Sequence, residues 1–238
     1  MSDRPTDRHL LTRELIAAGG VAAIVARDAP DLRLLTEAER AASLRATLAA
    51  RPPGDVWLFG YGSLIWNPTI HSVERRPARI EGWHRAFCLT VRAGRGTAEN
   101  PGLMLGLDAG GDCTGVAFRI AEEALEAELA LLWRREMVAG SYVPRWVDAL
   151  DAAGRRFGSA IAFTIDAAGE QYAGGLAREI VVERLATASG ALGSAAEYLF
   201  QTRDGLRAHG IPDPELERLA AAVEAAQALA AEDGTTAD

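Results

Sequence analysis

The residues of the Gly60–Ile65 segment are the first in the chain whose types and spacing indicate chemistry. An apolar run, Val56–Phe59, is typical of a buried strand and ends abruptly in Gly-Tyr-Gly-Ser. Glycines permit a sharp turn there, and a strand that enters such a turn can direct consecutive backbone N–H groups into one concavity that binds a carboxylate. We interpret the segment as an anion-binding loop. The alternative is a structural turn, since short glycine-rich turns are common.

Glu136 is the acidic residue best suited to proton transfer. It follows a segment whose apolar residues recur at spacings of three and four, and it lies between two arginines and an apolar pair. Partial burial raises the pKa of a carboxylate toward neutrality, where the group can accept a proton and return it. The alternative is a surface ion pair with a neighbouring arginine, because charged residues are mostly exposed.

Four segments, in the expected order, resemble the ChaC-type γ-glutamylcyclotransferases that act on glutathione. Tyr61-Gly62-Ser63 is similar to the family's signature, and 132–142 is similar to its Arg-Glu element with the tyrosine that follows. The segment 95–107 resembles the glycine-rich middle of bacterial members, and 189–199 resembles their C-terminal helical end. The resemblance covers roughly residues 55–215.

This resemblance implies roles for individual residues. Glu136 would be the catalytic acid/base, and Tyr142 would contact the substrate. The loop would hold the γ-glutamyl group, which makes the remaining substrate-binding residues Gly60, Tyr61, Gly62, Ser63, Leu64 and Ile65.

Other polar residues are open to two readings. Arg95, Glu99 and Asn100 are candidates for the mouth that receives Cys-Gly, with a solvated turn as the alternative. The Tyr61 side chain is either a direct ligand or a core aromatic with its hydroxyl satisfied locally. Tyr198 is a weaker candidate, because a tyrosine on a helical face more often packs than functions.

The implied reaction is a cyclisation in which the α-amine of the substrate attacks its own γ-carbonyl and forms 5-oxoproline. Because the attack is intramolecular, the protein must supply positioning and proton transfer rather than a nucleophile. We therefore expect no metal and no cofactor. The four histidines show no metal-ligand spacing, and the two cysteines are too far apart for a Cys-x-x-Cys motif.

The elements that must position these residues suggest an α+β fold. Residues 1–54 are predicted to form a helical N-terminal arm, in which Thr36 caps a helix and Glu39 completes a capping box. Residues 55–230 are predicted to form the γ-glutamylcyclotransferase-like domain, a mixed β-barrel with surrounding helices and a helical C-terminal end. Residues 231–238 are predicted to be a frayed tail.

Seven strands and a helix fill the first part of this domain in our prediction. The strands are Val56–Phe59, Val73–Ile80, Arg85–Val91, Leu103–Leu107, Thr114–Ile120, Arg145–Ala149 and Ser159–Ile165. The helix covers about 121–135, and three more are predicted at 176–188, 194–208 and 213–230.

Composition limits the possible partners. The net charge of −8 argues against nucleic acid and against an anionic membrane surface, and no apolar stretch reaches the ~18 residues of a membrane span. With only two cysteines and no signal-peptide pattern, the chain is predicted to be cytoplasmic. Glutathione is the expected small-molecule partner, and the oligomeric state stays open.

Two other functions remain open at this stage. The segment 90–94 departs from the pattern of bacterial relatives, which leaves room for a cyclotransferase of other γ-glutamyl amino acids or amines. The other is a γ-glutamyl-binding or regulatory module without catalysis, although such a protein needs no general base. A dinucleotide site is not supported, because the third glycine of its fingerprint is absent.

Overall fold

The computed structural model describes residues 11–235. The N-terminal arm contains helices α1 (Arg13–Ala17), α2 (Gly20–Asp28) and α3 (Glu37–Ala49). Thr36 caps α3 and forms the predicted capping box with Glu39. The glycine pair Gly19-Gly20 interrupts the helical arm: α1 ends before it, and Gly19, with φ +76°, is the N-cap of α2.

Five strands form a closed barrel in the order β1-β3-β2-β4-β5. They are β1 (Val56–Gly60), β2 (Glu74–Val91), β3 (Gly102–Arg119), β4 (Tyr142–Leu150) and β5 (Arg156–Ile165). Strand β1 runs parallel to β5 and antiparallel to β3. The predicted mixed barrel in an α+β fold is confirmed.

Strands β2 and β3 are each longer than predicted. We divided each into two strands, but each runs for 18 residues without a break. Gly82 has φ +82° and lies at a register shift within the β2–β3 ladder, so it forms a bulge where the sequence indicated a turn.

A single helix packs against the barrel between β3 and β4. After a 3₁₀ turn at Glu122–Ala124, α4 spans Leu125–Glu136. Its Trp133 is buried and meets Phe163 of β5 edge-to-face, with ring centroids 5.1 Å apart. Burial of the apolar face of α4 fixes the helix on the barrel, and its last residue is Glu136.

Three helices complete the described chain: α5 (Arg178–Thr187), α6 (Ala195–Ala208) and α7 (Pro214–Thr235). A small hairpin of β6 (Ser189–Gly190) and β7 (Gly193–Ser194) lies between α5 and α6. Helix α7 continues five residues into the segment 231–238 that we predicted to be frayed; residues 236–238 lie outside the described part. Within residues 11–235, none of the helices has the length and apolar character needed to span a membrane.

Candidate active site

The loop after β1 has glycine at two positions where other groups lie too close for a side chain. A side chain at Gly60 would lie 2.9 Å from the Phe118 ring, and one at Gly62 would lie 2.6 Å from the Tyr198 hydroxyl. Neither glycine has a positive φ, so our expectation that they provide unusual backbone angles was wrong. Close approach, not backbone freedom, requires glycine at both positions.

The turn itself is made by two backbone hydrogen bonds. Ile65 donates to the carbonyl of Gly62 at 2.9 Å, and Asn67 donates to the carbonyl of Ser63 at 2.8 Å. The N–H groups of Gly62, Ser63 and Leu64 take no part in these two bonds. The N–H of Ser63 faces the Tyr198 hydroxyl, and the N–H groups of Gly62 and Leu64 remain as donors for the anion-binding interpretation.

Glu136 and Arg135 form a nearly buried ion pair at the end of α4. The Arg135 Nε lies 3.0 Å from Glu136 Oε1, and the two side chains are 3% and 14% exposed. Burial raises the pKa of Glu136, while the positive charge of Arg135 acts in the opposite direction. A carboxylate at a helix C-terminus also faces the negative end of the helix dipole. Such a group is suited to accept and return a proton.

Arg135 connects this carboxylate to the loop. Its guanidinium donates to Ser63 Oγ at 2.9 Å, to Thr69 Oγ1 at 2.7 Å and to the carbonyl of Asn67. Sequence reasoning assigned no role to Arg135, because only the fold shows that its side chain reaches residues more than 60 positions earlier. One arginine therefore sets the distance between the candidate base and the candidate anion site.

Three tyrosines surround the pair. The Tyr61 hydroxyl donates to the carbonyl of Phe163 at 2.8 Å, and the Tyr142 hydroxyl donates to the carbonyl of Leu105 at 3.0 Å. Burial raises the pKa of Tyr61 and Tyr142 well above the usual value and that of Tyr198 to about 12. The phenols thus stay neutral. Because the first two hydroxyls give their protons to the main chain, their oxygens can accept a hydrogen bond from a substrate ammonium.

A cavity of about 170 Å³ joins these groups. Of the predicted site residues, it is lined by Tyr61, Gly62, Ser63, Leu64, Glu136 and Tyr142, and Tyr198 also lines it. Gly60 and Ile65 do not line the cavity: Gly60 packs against Phe118, and Ile65 is buried near Gly205.

The residues proposed for the mouth lie elsewhere. Arg95 is buried, donates to the carbonyl of Ser194 at 2.8 Å and does not line the cavity. Asn100 is exposed and bonds to the carbonyl of Thr187, while Glu99 is exposed. For the two exposed residues the alternative of a solvated turn fits better.

The cavity is also lined by residues to which sequence analysis gave no individual role. They include Val21, Ile24, Val25 and Leu32 of the arm, Arg92 after β2, and Ser141 and Gln171. Local sequence does not show that these side chains share one cavity, because the arm residues meet the others only once the arm has folded against the barrel. Among residues 11–235, no cluster of three or more His, Cys, Asp or Glu side chains could hold a metal ion.

Comparison with known proteins gives one consistent family. A profile of the ChaC-like protein family matches residues 56–226. A glutathione-specific γ-glutamylcyclotransferase of Escherichia coli K12 is 49% identical over 193 residues, which cover 80% of this chain and 83% of that protein. The human glutathione-specific γ-glutamylcyclotransferase 1 is 31% identical over 180 residues, covering 73% and 79% of the two chains.

A solved structure agrees at the level of the fold. The crystal structure of a yeast γ-glutamylcyclotransferase specific to glutathione superimposes with a TM-score of 0.62 and 23% identity, over 72% of this chain and 96% of the yeast chain. The family profile covers well over half of the sequence, and the bacterial relative matches along most of its length. The chain therefore belongs to the ChaC-like family of γ-glutamylcyclotransferases.

Proposed function

We propose that this protein is a glutathione-specific γ-glutamylcyclotransferase that cleaves glutathione to 5-oxoproline and Cys-Gly. The observation that carries the proposal is Glu136, a carboxylate of raised pKa in a cavity that it shares with the loop after β1. The E. coli and human relatives bear the name of this activity.

In the proposed mechanism, the backbone N–H groups of Gly62 and Leu64 hold the α-carboxylate of the substrate. Tyr61 and Tyr142 accept hydrogen bonds from its α-ammonium group. The carboxylate of Glu136 removes one proton from the ammonium, and the free amine attacks the γ-carbonyl and closes a five-membered ring.

The same glutamate completes the reaction. As the tetrahedral intermediate collapses, the C–N bond to the cysteinyl nitrogen breaks, and the proton held by Glu136 passes to that nitrogen. The ring nitrogen still carries two hydrogens after the attack, and Glu136 takes the second of them and passes it to the departing amine. Cys-Gly therefore leaves as an ammonium, 5-oxoproline keeps one N–H, and Glu136 returns to the carboxylate form. No redox step occurs, and every proton is accounted for.

The proposal also places the reaction in the cytoplasm with a small-molecule substrate and no nucleic-acid or membrane partner. Support comes from the two cysteines, Cys88 and Cys113, which are both free and buried. Burial raises the pKa of Cys88 to about 12, so this thiol is unreactive.

The decisive experiment is a comparison of Glu136→Gln with wild type on glutathione, with 5-oxoproline and Cys-Gly detected by mass. We expect kcat to fall by about 10²–10⁴-fold or more, with substrate binding retained in calorimetry. Glu126→Gln, an exposed glutamate of the same helix, is the matched control and should keep full activity. Undiminished turnover by Glu136→Gln would refute the assignment of the base.

A panel of γ-glutamyl substrates tests the specificity in the same assay. Comparable rates on γ-glutamyl-alanine and glutathione would keep the mechanism and replace the glutathione-specific assignment by a broader one. Binding without 5-oxoproline from any substrate would support the non-catalytic module.

A further inference from the structure

One wall of the cavity comes from the N-terminal arm, outside the segment that matches the family profile. Val21, Ile24 and Val25 of α2 line it, together with Leu32 in the loop before α3. These side chains share the cavity with Glu136. The proposed function holds the γ-glutamyl group at the loop after β1, which leaves the wall formed by the arm for the rest of the substrate.

Arg92 lies where the arm meets the barrel. It directly follows β2 and lines the cavity, and its Nη1 donates to Asp31 Oδ2 of the arm at 2.8 Å. The Arg92 side chain is 33% exposed and that of Asp31 is 66% exposed. Their ion pair is therefore open to solvent, and another carboxylate can replace Asp31 at low cost.

Within the part of the chain that the structure describes, the cavity is lined by two cationic side chains, Arg92 and Arg135. Arg135 is committed to Glu136, Ser63 and Thr69 and is almost fully buried. Arg92 has one carboxylate partner, and that partner is supplied by a surface loop.

Glutathione carries a second carboxylate, on the glycine of its leaving group. A charged end of this kind binds well only where a cation meets it, and a guanidinium offers two parallel donors to a carboxylate. The neighbouring wall of Val21, Ile24 and Val25 gives the uncharged middle of the leaving group an apolar surface.

We propose that Arg92 binds the carboxylate at the leaving-group end of the substrate, and that this carboxylate takes the place of Asp31. The arm thereby contributes to substrate selection: it supplies the apolar wall and the acidic residue that occupies Arg92 when the cavity is empty. The inference rests on the proposed function and adds the group that recognises the peptide end of glutathione.

The test compares glutathione with its glycyl amide, which has nearly the same shape but lacks the terminal charge. We expect wild type to have a kcat/KM about 3–10-fold higher for glutathione, mostly through a lower KM. The preference is modest because a charge-assisted hydrogen bond that is partly exposed contributes little binding free energy. In Arg92→Gln, KM for glutathione should rise and the two substrates should become equal within about twofold.

Three further variants sharpen the result. Arg92→Lys keeps the charge and should retain part of the preference. Asp31→Asn removes the internal competitor, so KM for glutathione should fall while KM for the amide stays unchanged. Arg51→Gln is the matched control. Arg51 Nη1 lies 2.7 Å from Glu122 Oε1 and also joins the arm to the domain, but neither residue lines the cavity, so the preference for glutathione should not change.

The possible results test the role of Arg92 separately from the cyclotransferase assignment. Equal turnover of glutathione and its amide by wild type, or an unchanged preference in Arg92→Gln, would overturn the role of Arg92 and leave the cyclotransferase assignment intact. Absence of 5-oxoproline from both substrates would overturn the assignment itself, and the role of Arg92 with it.

Discussion

At the residue scale, the proposed chemistry depends on two adjacent side chains, Arg135 and Glu136. Burial and the helix C-terminus disfavour the charge of Glu136, whereas Arg135 favours it. The result is a carboxylate with a raised pKa that the arginine still keeps available as a base.

The pH profile should report this balance. In the proposed mechanism the free enzyme is active only when Glu136 is deprotonated, so kcat/KM should fall as the pH drops through the raised pKa of this group, above its ordinary value of 4.5. Removing the Arg135 charge removes the influence that lowers that pKa. In Arg135→Gln we expect the acid limb to move up by about one pH unit or more.

Two further arginine variants control that experiment. Arg135→Lys retains the charge and should leave the limb near its wild-type position. Arg134→Gln changes a partly exposed neighbour that pairs with Glu37 and should not shift the limb. An acid limb that stays in place in a folded Arg135→Gln protein would show that another group titrates.

Sequence alone could predict much of this site and not all of it. Glu136 and Tyr142 share one short motif and the loop is another, so their presence in the cavity could be predicted from local sequence. Arg135 and Arg92 are not, because their roles depend on partners from distant segments, at Ser63 and Asp31.

At the element scale, the arm is held to the barrel domain through α4. Arg13 of α1 forms two hydrogen bonds to Glu128 at 2.6 and 2.9 Å, and it also donates to the carbonyl of Thr69. A small apolar cluster of Ile16, Val21, Leu131 and Val138 lies in the same contact. Helix α4, which carries the proposed base, is thus covered by α1 and by α2, and α2 lines the cavity.

Arg13→Ala should loosen this contact. Burial alone would raise the pKa of Glu128, but the hydrogen bonds from Arg13 and from the His71 N–H hold it below its ordinary value. A carboxylate with a lowered folded-state pKa stabilises the fold above pH 4.5 and loses that contribution as the pH falls through the folded value. In urea unfolding at pH 7, we expect Arg13→Ala to lower the free energy of unfolding by about 1–3 kcal/mol.

The difference in the free energy of unfolding between Arg13→Ala and wild type should become smaller below about pH 4.5, as Glu128 becomes protonated. Arg33→Ala removes a mostly exposed arm arginine that pairs with Glu39, and it should cost less than about 0.5 kcal/mol. Equal losses in the two variants would mean that Arg13 does not anchor the arm.

The element boundaries show where local sequence is insufficient. Gly82 and Gly110-Gly111 indicate turns, yet the ladder of β2 with β3 continues past them, because barrel closure needs long strands with local bulges. Helix α2 was missed because a glycine pair normally ends a helix, whereas Gly19 here starts the next one.

At the scale of the whole molecule, one buried arginine joins the barrel, the site loop and the C-terminal helices. Arg85 on β2 donates to the carbonyl of Tyr61 at 2.6 Å and to that of Thr114 at 2.7 Å. It also pairs with Asp213. The second carboxylate oxygen of Asp213 accepts the N–H groups of Glu215 and Leu216 and caps α7.

Asp213 therefore has two roles that two substitutions can separate. Asp213→Ala removes the cap and the charge partner of Arg85, and we expect a loss of about 2–4 kcal/mol in the free energy of unfolding. Asp213→Asn keeps a capping oxygen, so its free energy of unfolding should fall by less. Asp204→Ala, at an exposed position on α6, should stay within about 0.5 kcal/mol of wild type. An equally small effect of Asp213→Ala would show that α7 is held by apolar contacts alone.

The parallel pairing of β1 with β5 has a consequence for how the enzyme is made. Val56 pairs with Ser159 and Leu58 with Ile161, so the strand that leads into the Gly60–Ile65 loop lacks one neighbour until about a hundred further residues have been synthesised. Pairing across such separations slows folding. Tyr198, which packs over Gly62, emerges from the ribosome later still. A nascent or half-folded chain thus lacks the assembled cavity, and the activity that we propose can begin only after the barrel has closed.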